Sequence, residues 1–276
     1  MKKNYQILEN DKPLDIRKDN VFKAVFTKQT YESRTALSKL VSALIGRDVT
    51  IDTIVANEPP IDSLGERKIR FDINCVAENG ERINVEMSFH PKPYEPVRLE
   101  YHASKLLTTQ EISGIEKGYN DLKQTYQIAI LAKRRFFADK EIFHTFLYYD
   151  PVHNVSLEGK TRIITIELSK VKTIAKKPIE DMEPSELWAF YFQNLTKAGK
   201  CDKINEILNK SEGIAMANEV LMRISREEEE RIRIMSEEKF IKDRESEIAY
   251  KFKKVLTDKD AKIAQLEKQL AEYRKP

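Results

Sequence analysis

Hydrophobic positions along the chain switch between helical and strand periods, and the switches mark out its elements. Over residues 19–45, Val21, Phe22, Val25 and Phe26 form one apolar cluster, and Leu37, Leu40, Val41, Leu44 and Ile45 form another at helical spacing. This predicts a helix that Gly46 stops. Residues 49–55 are β-branched and strand-like, and Pro59-Pro60 then breaks the chain. Two alternating runs follow. In the first, Ile69, Phe71, Ile73 and Cys75 share a face opposite Arg70, Asp72 and Asn74. In the second, Ile83, Val85, Met87 and Phe89 oppose Arg82, Asn84, Glu86, Ser88 and His90, and Pro91 and Pro93 end the run. Both read as half-buried strands of a sheet with one covered face.

A helix is predicted over 99–114, with Leu99, Ala103, Leu106 and Leu107 inward. Residues 126–131 form a short, nearly all-apolar strand, and 142–149 and 162–168 add two more, separated by Asp150-Pro151. Helix, strands, helix, strands indicates a mixed α/β core ending near Val171. Residues 184–209 read as helical around Leu187, Trp188 and Tyr191, and from Met216 onward mixed-sign Glu, Lys and Arg dominate. Leu256, Ile263, Leu266, Leu270 and Tyr273 follow a seven-residue repeat with one poor position, Lys259. That pattern suits a short coiled coil that joins copies of the chain, or a lone solvated helix. The organisation expected is a core domain over 1–175, a helical connector over 176–215 and a charged helical extension over 216–276.

Composition narrows the classes. Charged residues make up 34% and hydrophobic ones 41%, which suits an ordinary core joined to a largely solvated segment. No apolar run approaches the roughly 20 residues that cross a bilayer. Met1-Lys2-Lys3-Asn4-Tyr5 lacks a signal peptide's apolar stretch, so a cytoplasmic protein with no membrane partner is expected. Cys75 and Cys201 are isolated, and His90, His102, His144 and His153 have no zinc spacing. A net charge of +3 permits nucleic-acid binding without arguing for it.

The chemistry concentrates in the two alternating runs. Between them lies Ala77-Glu78-Asn79-Gly80-Glu81, a hairpin signal. A two-residue Asn79-Gly80 turn would set Asp72 opposite Met87 and mix polar with apolar residues on each face. A three-residue loop, Glu78-Asn79-Gly80 with Gly80 left-handed, sets Asp72 opposite Glu86 and segregates the faces. Burial fixes register, so the second alignment is expected. Opposed like charges at about 5 Å Cβ separation destabilise a sheet, and a divalent cation between them removes that penalty. Mg²⁺ suits one or two carboxylates and keeps several waters. The plainer alternative is an exposed hairpin whose acids pair with Arg70 or Arg82.

Several stretches resemble the PD-(D/E)XK nuclease family transposases, also called recombination-promoting nucleases. They are Asp19-Asn20-Val21-Phe22-Lys23-Ala24-Val25-Phe26, Arg70-Phe71-Asp72, Asn84-Val85-Glu86-Met87, Arg98-Leu99-Glu100-Tyr101-His102-Ala103-Ser104-Lys105-Leu106, and Gly118-Tyr119 with Leu122-Lys123. The resemblance spans about residues 14–170. It implies a restriction-endonuclease-like mixed sheet flanked by helices, DNA as partner, and an endonuclease dependent on Mg²⁺ (or Mn²⁺) and tied to DNA mobility or recombination. Asp72 matches the family's first motif acid and Glu86 the acid of its E-x-K/Q motif.

Ser88 departs from the pattern, because Gln or Lys is expected there to position the attacking water and serine is short and uncharged. His90, two residues further on the same face, and Lys105 on the next helix are the candidate substitutes. Asp19 is a third candidate metal ligand, or else a helix-start acid paired with Lys23. Lys133-Arg134-Arg135 with Phe136-Phe137 is a basic-aromatic patch that suits phosphates. A second expectation is a catalytically weakened relative that serves as a DNA-binding or oligomeric module.

Overall fold

The computed structural model describes residues 5–8, 10–55, 72–110, 112, 118–227 and, beyond them, 232, 234, 236, 248, 253, 255–257, 259, 260, 262, 263, 266 and 267. The chain divides into two compact units, Met1–Glu227 and Glu228–Pro276. In the first unit the elements run α1 (Asp19–Phe26), α2 (Tyr31–Ile45), β1 (Ile51–Ile54), β2 (Ile73–Ala77), β3 (Arg82–Ser88), α3 (Glu95–Thr108), β4 (Thr125–Leu131), β5 (Phe143–Phe146), β6 (Tyr149–Asp150), β7 (Val155–Ser156), β8 (Thr161–Glu167), α4 (Pro184–Asn194), α5 (Cys201–Lys210) and α6 (Glu212–Arg226).

Six strands form one mixed sheet in the order β1-β2-β3-β4-β8-β5, and β6 and β7 make a separate two-stranded ribbon. β2 runs antiparallel to both its neighbours, β1 and β3; β3, β4 and β8 run parallel, and β5 closes the far edge antiparallel to β8. A parallel neighbour requires a crossover, and α3 supplies it between β3 and β4. α3 lies against β3, β4 and β8. The described residues thus form the mixed sheet flanked by helices that the sequence leads one to expect.

The sheet departs from expectation in its covering. β3 is buried along both faces: Ile83, Val85 and Met87 on one side, Asn84 and Glu86 on the other. Central parallel strands are normally covered on both sides. The polar alternation survives because its groups find partners inside: Asn84 Nδ2 donates to Gln127 Oε1 of β4 at 2.9 Å, with both residues fully buried, and Glu86 meets Arg98.

The predicted 19–45 helix is two. α1 stops at Phe26, and Thr30 caps α2 by accepting from the Ser33 N–H at 3.2 Å. Gly46 ends α2 at φ +82°, as its position suggests. The third helix begins at Glu95 rather than 99, with Pro96 in its first turn. Gly114, Pro59, Pro60, Arg70 and Phe71 lie outside the described residues.

The helices after β8 belong to the core. Trp188 and Phe192 of α4 meet Phe26 of α1 at ring-centroid distances of 6.0 and 6.4 Å, and Phe22 stands 4.8 Å from Phe26. Tyr191 Oη donates to Asn218 Oδ1 of α6 at 3.2 Å in a fully buried pair. α6 turns Ile214, Val220, Leu221 and Ile224, all fully buried, toward α2 and α1. Composition from Met216 onward hid this apolar stripe, and the core does not end near Val171. Leu270 and Tyr273 of the heptad pattern lie outside the described residues, while Leu256, Ile263 and Leu266 are helical and exposed. Among the described residues no helix is long and apolar enough to cross a membrane.

Candidate metal centre

The β2–β3 hairpin decides the geometry. Gly80 has φ +84°, its N–H donates to Ala77 O at 2.8 Å, and Ala77 N–H donates to Glu81 O at 3.0 Å. Residues 78–80 therefore form the three-residue loop with a left-handed glycine. The register runs Ile73↔Val85, Asn74↔Asn84 and Cys75↔Ile83. One further step sets Asp72, in the bend before β2, opposite Glu86. Met87 N–H donates to Asp72 Oδ2 at 3.2 Å, so the carboxylate stands in for a ladder acceptor and is fixed in place.

α1 brings the other side of the site. Lys23 Nζ lies 3.0 Å from Asp72 Oδ1 and 3.1 Å from Asp19 Oδ2, joining the two acids through one ammonium. Burial pushes the Asp72 carboxyl up, the negative charges of Asp19 and Glu86 add to that, and Lys23 only partly opposes it; the result is a pKa of about 8. Burial also works against the charge on Lys23, but Asp72 and Asp19 outweigh it and hold the ammonium above its ordinary range.

Glu86 is 1% exposed and is held from α3. Arg98 Nη2 lies 2.7 Å from its Oε1, and His102 Nδ1 lies 3.3 Å from its Oε2. Arg98 also donates to Glu95 Oε1, through Nε at 3.2 Å and Nη2 at 2.5 Å. Arg98 and His102 are one helical turn apart, which aims both at one point on the sheet.

Asp19 and Glu86 thus act on Asp72 from either side, and each of the three acids carries at least one basic partner. Ser88 ends β3, half-buried, and its carbonyl accepts from Ala132 N–H at 2.9 Å. His90 sits exposed in the bend beyond β3, edge-on to Phe89. Lys105 is in the last turn of α3. Neither has the close pairing to Asp72 that Lys23 has. Sequence reasoning assigned no role to Arg98, Glu95 or His102 and paired Lys23 with Asp19 only. The available signal was the buried Glu86 itself: a carboxylate in the middle of a sheet needs partners, and the next helix carries a guanidinium and an imidazole at i, i+4.

Among the described residues no three His, Cys, Asp or Glu side chains converge as a ready-made cation cage. The donors present are carboxylate oxygens on opposed strand positions, and Asp72 is held well above a normal carboxylate pKa by burial and by the neighbouring charges of Asp19 and Glu86. Those two properties fit a hard divalent cation that uses one or two carboxylates and completes its shell from solvent or substrate. Asp72 and Glu86 are the residues that would hold it, with Asp19 next to them.

Comparison with curated proteins and with solved structures returned no match. The family model for the PD-(D/E)XK nuclease family transposases matches residues 16–251, which takes in α1, the hairpin acids, α3 and the helices after β8. The chain that carries this opposed pair of acids belongs to the PD-(D/E)XK nuclease family transposases.

Proposed function

We propose that the protein is a Mg²⁺-dependent (or Mn²⁺-dependent) DNA endonuclease that cuts phosphodiester bonds during transposition or recombination of mobile DNA. Nucleases of this family generally use divalent metals. The observation that carries the reading is the opposition of Asp72 and Glu86 across the β2–β3 register. When bound there, the metal ion polarises a phosphoryl oxygen and lowers the pKa of an attacking water.

The chain's own residues do the rest. Met87 N–H orients Asp72, and Arg98 and His102 orient Glu86, so both acids are held in position on the sheet. Lys23 supplies the positive charge that Ser88 cannot, from α1 instead of from β3. Its ammonium, held by Asp72 and Asp19, would supply positive charge for a phosphate oxygen at this site. Self-association through the C-terminal helix would place two such centres on one DNA.

A second reading is a DNA-binding or oligomeric module of reduced activity. Ser88 in the Lys/Gln position favours it, together with the engagement of Glu86 by Arg98. Nicking of supercoiled plasmid in Mg²⁺ or Mn²⁺ separates the two. The endonuclease reading expects the wild type to cut and Asp72→Ala and Glu86→Ala each to lose at least about a hundredfold. Equal residual cutting by all three would sink it. A gain of activity in Ser88→Gln would identify a site weakened at that one position.

A further inference from the structure

We propose that the chain holds one unstacked DNA nucleobase in an aromatic cleft beside the metal centre, an inference that rests on the reading of the chain as a protein acting on DNA. A cleft of about 240 Å³ opens between α3 and the β8–β5 side of the sheet. Its walls are the rings of Phe136, Phe137, Phe146 and Tyr148, with Leu131 and Ile163 between them. The volume lies below the roughly 300 Å³ at which sites for drug-sized ligands begin, so it suits a single planar ring system.

The aromatic wall is set in advance. Phe137 packs on His144 at 4.6 Å and on Phe146 at 5.2 Å. The loop that carries Phe136 and Phe137 is pinned by buried charge: Phe136 N–H donates to Glu167 Oε1 at 2.5 Å. Lys170 pairs with Glu167 and, at 3.0 Å, with Asp139, and His144 lies 3.1 Å from Asp139. Rings fixed this way lose little freedom when a base stacks on them.

Polar groups in the cleft fit the edge of a base. Thr165 lines it with a buried hydroxyl that has no hydrogen-bond partner among the described residues. Glu95 and Glu100 also line it, which disfavours an anionic ligand inside; Glu95 is taken up by Arg98 and the Lys92 N–H, and the exposed Glu100 offers an acceptor to an exocyclic amino group. Glu95 is bound by the same Arg98 guanidinium that binds Glu86, so the cleft and the metal centre are one guanidinium apart.

The cations lie outside the cleft. Lys133, Arg134 and Arg135 are exposed. Arg134 stands 5.4 Å over the Phe136 ring, and Lys133 stands 4.4 Å over Phe89, the residue after Ser88. These two positive groups mark a path from the end of β3 to the mouth of the cleft. They match the phosphates of a strand whose base enters between the rings, the combination that single-stranded nucleic acid sites use. An apolar peptide in the same place would leave those cations and the Thr165 hydroxyl unanswered.

The test is photocrosslinking of the full chain to a single-stranded oligonucleotide containing one 5-iododeoxyuridine, in EDTA, with the adduct mapped by mass spectrometry and Kd measured in parallel. Adducts on Phe136, Phe137, Phe146 or Tyr148 are expected. Phe146→Ala and Tyr148→Ala should each weaken Kd about five-fold or more, as loss of one stacked base does, and Phe146→Trp should retain affinity. DNA bound with adducts only elsewhere, and with pocket variants as tight as the wild type, overturns the proposal while leaving the endonuclease reading intact. Adducts on the wall in a protein that never cuts would support the cleft and refute the endonuclease reading. Absence of any DNA binding overturns this proposal outright.

Discussion

Lys23 joins Asp19 and Asp72, and Asp72 also feels the charge of Glu86, which Arg98 holds from behind; this arrangement has consequences that titration can read. The Asp72 pKa of about 8 lies above the value of 3.8 expected for a free aspartate. The folded state therefore holds more protons than the unfolded state between pH 4 and 8, and stability falls as pH rises through that window, by at most about 1.4 kcal/mol per pH unit. In EDTA, Asp72→Asn should remove this slope and leave the chain more stable than the wild type at pH 8; equal urea midpoints for the two proteins across pH 5–8 would contradict the assignment. Metal binding must expel the same proton, so Mg²⁺ affinity should rise with pH up to about 8 and then level, which calorimetry in buffers of different ionisation enthalpy will report.

Lys23 is the residue to separate from Ser88. If its charge serves cleavage, Lys23→Met should cost about tenfold or more in kcat with native folding retained, and Ser88→Lys introduced into Lys23→Met should restore cutting. A purely structural Lys23 would show no rescue from a charge placed on β3. Arg98 behaves differently. Arg98→Ala leaves Glu86 buried with an incomplete set of partners, a change that costs about 3–5 kcal/mol when a buried pair is broken. Thermal unfolding should register it even where plasmid cutting is not assayed.

At the scale of elements, legibility in the sequence followed how completely local rules decide the structure. The β2–β3 register was readable because a period-two pattern and one left-handed glycine leave a single alignment that keeps the faces apart. Gly80 remains the sensitive point: at φ +84° an added Cβ is strained, and it would also lie 3.3 Å from Lys123 Cγ. Gly80→Ala should destabilise the domain by about 1–2 kcal/mol, measured by chemical denaturation.

The break between α1 and α2 was not readable, because Thr27-Lys28-Gln29-Thr30 contains neither Pro nor Gly and Thr30 acts as a cap only once α2 is packed. The cover over the polar face of β3 was missed for a related reason. Asn84 and Glu86 look solvated in the sequence, and only tertiary partners, Gln127 and Arg98, allow them to be buried. In the site, the two motif acids were legible as a pair, whereas their cationic partners come from helices whose packing no local pattern dictates.

At the scale of the whole chain, the helices after β8 are what the composition concealed. α6 has charged residues at Glu212, Glu219, Arg223 and Arg226, yet its apolar stripe is fully buried against α2, where Gly213 allows an approach so close that an added Cβ would stand 2.4 Å from Lys39 Cβ. Removing residues 212–276 should therefore expose the α2 and α1 faces and abolish cooperative unfolding. Removing only 228–276 should leave Met1–Glu227 folded, since that unit is compact by its own contacts.

The two truncations also test assembly. If the heptad positions Leu256, Ile263 and Leu266 join copies of the chain, light scattering should show the full-length protein above monomer mass and the 1–227 fragment at monomer mass. Cutting of a single site by the fragment should persist, because every residue of the proposed metal centre lies before Glu227. Coupled cutting of two sites on one plasmid should be lost. A fragment that retains the full-length assembly would place the interface elsewhere on the molecule and remove the case for the C-terminal helix.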